Sequence, residues 1–145
     1  MTVIALQGKS NTGKTTTLMF LYDKMIINGY RVLRIKKSRK DFCCILEKDG
    51  KRIGLTTRGD SASDIIRDFD YIITENSKIL PHKDIDKFIC AVHTSGETVK
   101  CVKSIAGCSF YKIYSKMTIE SNITAAAILE RQANIYQADF LYSEI

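Results

Sequence analysis

Nowhere in the 145 residues does an apolar run approach the roughly 18 that a membrane-crossing helix needs. The first residues carry a strand pattern in place of the basic and then apolar segment of a secretory leader, which predicts a cytoplasmic protein without a membrane partner. Five cysteines are present, Cys43, Cys44, Cys90, Cys101 and Cys108, but none belongs to a C-x-x-C pair. The usual frame for a zinc or redox site is therefore missing, and reduced thiols in or near the core are expected. The seven tyrosines assemble no RNA-binding signature. Arg58-Gly59-Asp60 and Asn122-Ile123-Thr124 spell an adhesion tripeptide and a glycosylation acceptor, patterns with meaning only in a secreted chain.

With 45% hydrophobic and 26% charged residues, the composition is that of an ordinary globular domain. A chain of this length forms one domain, residues 1–145, that buries roughly two-thirds of the surface its unfolded form exposes. The formal net charge of +6 favours anionic partners such as nucleotides or nucleic acid. Much of the excess lies in Arg31, Arg34, Lys36, Lys37, Arg39 and Lys40. A solvated strand edge or turn accounts for that cluster, and so does a contact to phosphate, nucleic acid or a protein partner.

Thr2-Val3-Ile4-Ala5-Leu6 is an apolar run stopped by Gly8, as in a strand buried on both faces. Lys14 to Asn28 follows with Leu18, Leu21, Tyr22 and Met25 at helical spacing and Asn28-Gly29 as a stop. Arg31 to Ser38 alternates as a second strand. Phe42–Glu47 and Arg52–Thr57 flank Asp49-Gly50, which predicts a hairpin. From Ser61, the spacing of Ile65, Ile66, Phe69, Ile72 and Ile73 predicts a helix ending before the single proline, Pro81. Phe88–Val92 is a strand. Thr94 and Glu97 have capping-box spacing for a helix running to Gly107. Tyr111–Met117 is a last strand, and a terminal helix is expected from Thr118 to about Tyr142 with Ile119, Ile123, Ala126, Ala127, Ala133, Tyr136 and Phe140 on its apolar side. Alternating strands and helices predict an α/β three-layer sandwich, its sheet mostly parallel with one antiparallel hairpin. Ligands bind such sheets at the carboxyl ends of the strands, where the Gly8 loop falls.

That loop carries the chemistry. Gly8-Lys9-Ser10-Asn11-Thr12-Gly13-Lys14-Thr15 satisfies G-x-x-x-x-G-K-[ST], and Thr16 continues it into the helix. Gly8 lets the chain turn off its strand, and Gly13 admits a phosphate that a β-carbon would push away. Successive amides and the positive end of the helix then favour an anion. Lys14 is suited to the β- and γ-phosphates, and Thr15 to Mg²⁺, a cation that prefers hard oxygen ligands. A chance match to the four fixed positions arises in roughly one chain of this length in a few hundred, before the strand–loop–helix context is counted.

On these residues the chain resembles the P-loop NTPase superfamily. Gly29-Tyr30-Arg31-Val32, followed by a strand ending in Lys36-Lys37, is similar to the small MobB-type P-loop ATPases. The resemblance implies a Mg²⁺-dependent nucleoside triphosphatase, with a second acidic residue at the end of a neighbouring strand holding the metal directly or through water. Asp60, after Ile53-Gly54-Leu55-Thr56-Thr57-Arg58-Gly59, matches that position, although the run before it is less apolar than the family's pattern. Asp60 also suits an N-cap of the following helix, a role it shares with Ser61. Asp41 and Glu97 are further carboxylates, and His93, Thr94 and Ser95 are polar residues expected at the same edge. Arg39, Arg58 and Arg67 are candidates for stabilising transferred charge. The guanine-selecting N-K-x-D pattern is absent, which favours ATP over GTP. Against hydrolysis stands a kinase reading, for which only Glu75–Lys87 offers a lid, and a nucleotide-binding accessory module with little catalysis.

Overall fold

A computed structural model of the protein describes residues 1–106, 111–119 and 126–145. Gly107, expected to stop a helix, Cys108 and the Asn122-Ile123-Thr124 triplet lie outside the described residues. In chain order the elements are β1 (Thr2–Gln7), α1 (Lys14–Ile27), β2 (Arg31–Ser38), β3 (Asp41–Lys48), β4 (Lys51–Thr56), α2 (Ala62–Asn76), β5 (Lys87–Val92), α3 (Glu97–Ala106), β6 (Tyr111–Ser115) and α4 (Ala126–Ser143). The result is an α/β fold around one six-stranded mixed sheet of order β2-β3-β4-β5-β1-β6.

β1 runs parallel to β5 and to β6, with Ala5 opposite Cys90 on one side and Ile113 on the other. β4 runs parallel to β5. β5 therefore separates β1 from β4, and the carboxyl ends of all four parallel strands share one edge. β1 and β5 are apolar without alternation because both of their faces are covered. Val3, Ala5, Phe88 and Cys90 pack with Ile65, Ile72 and Val102 on the face of α2 and α3. Ile4, Leu6, Ile89 and Ala91 pack with Leu18, Leu21, Ala138 and Leu141 on the face of α1 and α4.

The turns show why the chain reverses where it does. α1 closes with a Schellman pattern: the amides of Gly29 and Tyr30 donate to the carbonyls of Ile26 and Met25, both at 3.0 Å, and Gly29 takes the left-handed φ of 89°. Asp49 and Gly50, at φ 50° and 78°, make the expected two-residue turn between β3 and β4. The sheet holds a second antiparallel pairing, β2 with β3, where only one hairpin was expected. Its turn is Arg39-Lys40, closed by the pair Ser38–Asp41, with Arg39 at φ 52°. An arginine in that left-handed region is uncommon, so no glycine or asparagine marks the turn in the sequence.

Four expectations need correction. α3 opens at Glu97 itself, with the Lys100 amide donating to Gly96 at 3.3 Å, so Thr94 and Glu97 form no capping box and Glu97 pairs with Lys100 at 2.9 Å. β6 ends at Ser115, two residues early. Thr118 and Ile119 are not helical, and the helix described begins at Ala126. The buried face of α4 is Ala133, Asn134, Gln137, Ala138 and Leu141, while Tyr136 is 64% and Phe140 41% exposed. The helix is rotated from the purely apolar reading because Gln137 finishes the strand end, accepting from the Met117 amide and donating to the Ser115 carbonyl, both at 2.7 Å. Hydrogen-bonded amides can occupy a buried face that apolar spacing does not reveal.

Candidate functional site

The strand–loop–helix passage from β1 to α1 has the local conformation that its glycines permit. The Gly8 amide continues the sheet by donating to Val92 at 3.1 Å, and the chain then leaves the strand. A β-carbon on Gly8 would stand 2.9 Å from Lys116 Cβ and from Thr12 Oγ1, so the tight exit requires glycine. Asn11 at φ 58° and Gly13 at φ 84° place two left-handed residues in the loop. Gly13 is the N-cap of α1 and contributes no side-chain cap. Among the described residues, no backbone amide from Lys9 to Thr16 makes a well-formed hydrogen bond to a protein acceptor. Eight consecutive amides, running from the loop into the first turn of α1, are thus without a protein acceptor among the described residues.

Lys14 is 6% exposed and folds back over the loop, its Nζ donating to the carbonyls of Gly8 at 2.9 Å and Lys9 at 2.7 Å. Burial lowers its pKa from the ordinary lysine value, and the charge of Asp60 acts in the opposite direction. The Thr15 hydroxyl donates to the Thr57 carbonyl at 3.3 Å, which ties the start of α1 to the end of β4. Thr57 in turn donates its hydroxyl to Asp41 at 3.0 Å. Lys14, Thr15, Asp41 and Asp60 therefore gather at one edge of the sheet, although β1 and β4 are not neighbours.

Asp60 is exposed and free of capping duty, because Ser61 is the N-cap of α2 and accepts the Asp64 amide at 3.1 Å. Gly59 fixes its approach: a β-carbon there would meet Ala91 Cβ and the Ala91 carbonyl oxygen at 2.5 Å. The His93 ring nitrogen Nε2 lies 3.2 Å from the Asp60 carbonyl oxygen, and the His93 amide donates to Thr98 Oγ1 at 3.0 Å. Gln7 Nε2 donates to the Thr94 carbonyl at 3.0 Å, binding the loop after β5 to the end of β1. The arginines separate by their partners. Arg58 faces Asp64 and Asp68, each at 3.8 Å, and Arg67 pairs with Asp64. Arg39 has no acidic partner among the described residues.

Two residues at this edge escape the sequence reading. Lys116, 8% exposed, follows β6 and packs against Gly8; burial lowers its pKa while Glu130 opposes the shift. Asn134 of α4 lies where a Gly13 β-carbon would fall, at 2.9 Å, and its Oδ1 accepts from Thr17 Oγ1 at 3.3 Å. A cleft of about 270 Å³ opens between the loop and α4, lined by Asn11, Gly13, Thr16, Met117, Glu130 and Asn134. The pairing of β6 with β1 brings Lys116 there and the packing of α4 on α1 brings Asn134, and no local pattern encodes either. A larger cleft of about 390 Å³, near Asn76, His82 and Asp84, lies at the opposite edge of the sheet and contains none of the residues above.

The Glu75–Lys87 segment also belongs to that opposite edge, since it joins the end of α2 to the start of β5, and it cannot act as a lid over the Gly8 loop. Among the described residues no group of three or more His, Cys, Asp or Glu side chains is gathered for a metal. Among them, too, no helix is long and apolar enough to cross a membrane. No protein-family model, no curated protein and no solved structure matches the chain.

Proposed function

We propose that this chain is a P-loop protein that binds a Mg²⁺-nucleoside triphosphate, ATP by preference, and hydrolyses it slowly. The observation that carries the reading is the set of eight amides from Lys9 to Thr16, leading into the N-terminus of α1 and without an acceptor among the described residues, with the Lys14 ammonium held across the loop. Oriented donors at a helix start, in a partly desolvated site, are an anion site. Gly8 to Thr16 would enclose the phosphates, and Lys14 would exchange two carbonyl contacts for phosphate oxygens. That exchange favours the anion, because a cation whose pKa burial has lowered regains an opposite charge.

The residues present suit the metal. Mg²⁺ is bound through one or two protein oxygens, substrate phosphates and water, so a dedicated cluster is not needed. Thr15 and Asp60 would hold it, with Asp41 behind Thr57, and the ion would supply charge neutralisation between the phosphates. The nucleoside would occupy the cleft beside Asn11 and Asn134. The helices on both faces and the parallel strands at the sheet's centre are the three-layer arrangement that such a site needs. Hydrolysis is preferred to the kinase reading because the lid a kinase requires falls at the far edge. A cytoplasmic location fits a triphosphate substrate.

The test is equilibrium binding of ATP and turnover with Mg²⁺, for the native protein and Lys14→Ala. The reading expects the substitution to weaken binding by about 100-fold, on the order of 3 kcal/mol for a lost charge-assisted contact, and to abolish turnover. Unchanged affinity would refute it.

A further inference from the structure

The charge of this protein is concentrated in one place. Seven of the 22 basic side chains and none of the 16 acidic ones lie between residues 24 and 40, so the rest of the chain carries 15 basic against 16 acidic. The excess of +6 is therefore the property of one segment. Apart from Lys24 of α1, its basic residues lie on β2 and the turn after it; β2 is the outermost strand of the sheet, paired on one side only and exposed along nearly its whole length. Arg31 and Arg34 are engaged by Glu47 and Glu75, and Lys36 lies 5.0 Å from the centre of the Tyr71 ring. Lys37, Arg39 and Lys40 have no ion-pair partner among the described residues.

From this placement we infer that β2 and its turn bind the phosphate backbone of a nucleic-acid strand. Lys37 near the end of the strand and Arg39 and Lys40 in the turn after it form a short run of unpaired cations that suits a polyanion. Tyr71, half-buried and packed on the core, lies under Lys36 and holds that lysine at the strand surface. Lysines on an edge strand also guard against pairing with other chains, but that duty ends where the strand ends. Arg39 and Lys40 lie beyond it, in the turn before Asp41. The turn stands at the same sheet edge as the Gly8 loop, through the Asp41–Thr57–Thr15 contacts. The inference is independent of nucleotide hydrolysis.

The experiment is fluorescence anisotropy with a labelled 20-nucleotide single strand, without nucleoside triphosphate, across 50 to 300 mM salt. Its variants are the native protein, a Lys37→Ala/Arg39→Ala/Lys40→Ala triple, and a charge-matched control, Lys51→Ala/Lys100→Ala/Lys103→Ala, made of exposed lysines elsewhere. Circular dichroism checks that all three fold. The native protein is expected to bind with a steep salt slope. The triple should bind at least tenfold more weakly at 100 mM salt and lose about 2 from the log–log slope, near 0.7 for each phosphate contact removed. The control should stay within a factor of two or three. Equal weakening by both triples would overturn the assignment. So would absence of binding at 50 mM salt, or preference of this strand for anionic vesicles or polyglutamate over the oligonucleotide.

Discussion

Two buried cations, at opposite edges of the same sheet, are held in opposite ways. Arg52, 1% exposed at the start of β4, donates to Glu47 at 2.8 Å, to Asn76 Oδ1 at 3.0 Å and to the Pro81 carbonyl at 2.9 Å, while its own amide donates to Asp86 at 2.7 Å. The charge is matched by a carboxylate, whose own pKa is lowered first by its hydrogen bond from Arg52. Lys14, 6% exposed, meets two neutral carbonyls and no carboxylate among the described residues. One edge is finished by its own side chains; the other keeps a cation and a row of amides in reserve. Completed networks hold folds together, and incomplete ones at a helix N-terminus are where ligands enter.

The sharpest way to break this comparison is to truncate both cations. Arg52→Ala leaves Glu47, Asn76 and the Pro81 carbonyl without their donor, so unfolding in denaturant should show a loss of about 3–5 kcal/mol. Lys14→Ala removes a desolvated charge that has no carboxylate in contact, so the same measurement should move by less than about 1 kcal/mol while triphosphate binding collapses. Equal losses would erase the distinction between the edges.

Glycines offer the next test. Gly59→Ala forces a β-carbon onto backbone at 2.5 Å and should cost about 1–3 kcal/mol, as overpacking does, while displacing Asp60 and weakening Mg²⁺-dependent turnover. Gly50→Ala, at φ 78° on the far edge, meets only the mobile end of Lys83 and should cost about 1 kcal/mol with turnover intact.

An effect confined to alkaline pH concerns thiols in the sheet between the two edges. Burial pushes the Cys43 thiol from its ordinary value of 9.0 up to about 12, with the neighbouring Asp68 charge adding to the rise. A raised folded-state pKa means full stability below pH 9.0 and progressive loss above it, as the unfolded chain ionises first. Between pH 8 and pH 10 this thiol should account for about 1.4 kcal/mol of lost stability. Cys44 and Cys90 are shifted the same way by burial. Cys43→Ala should be less stable at pH 8 but show a visibly shallower alkaline decline by thermal melting; an unchanged decline would contradict the assignment.

Much of the site edge was legible because a glycine-bounded turn from strand to helix is local. Gly8 to Thr15 needs no distant partner to be recognised, and Asp49-Gly50 and Asn28-Gly29 announce their turns in the same way. What was missed depends on contacts far apart in sequence or on residues in unusual conformations. The β2–β3 turn is hidden because Arg39 adopts a left-handed φ normally left to glycine. The position of Glu75–Lys87 follows only once the strand order is known. Lys116 and Asn134 reach the loop from β6 and α4, and Asn134 sits in a helical stretch whose apolar spacing points to a different face. Asp60, by contrast, was open to two roles, and the cap supplied by Ser61 leaves it to the edge.

Amide hydrogen exchange followed residue by residue, with and without Mg²⁺ and a nucleoside triphosphate, addresses the reserved amides themselves. Protection should rise across Lys9 to Thr16 and leave the Arg52 edge as it was. Exchange in that loop unaltered at saturating triphosphate would contradict the account.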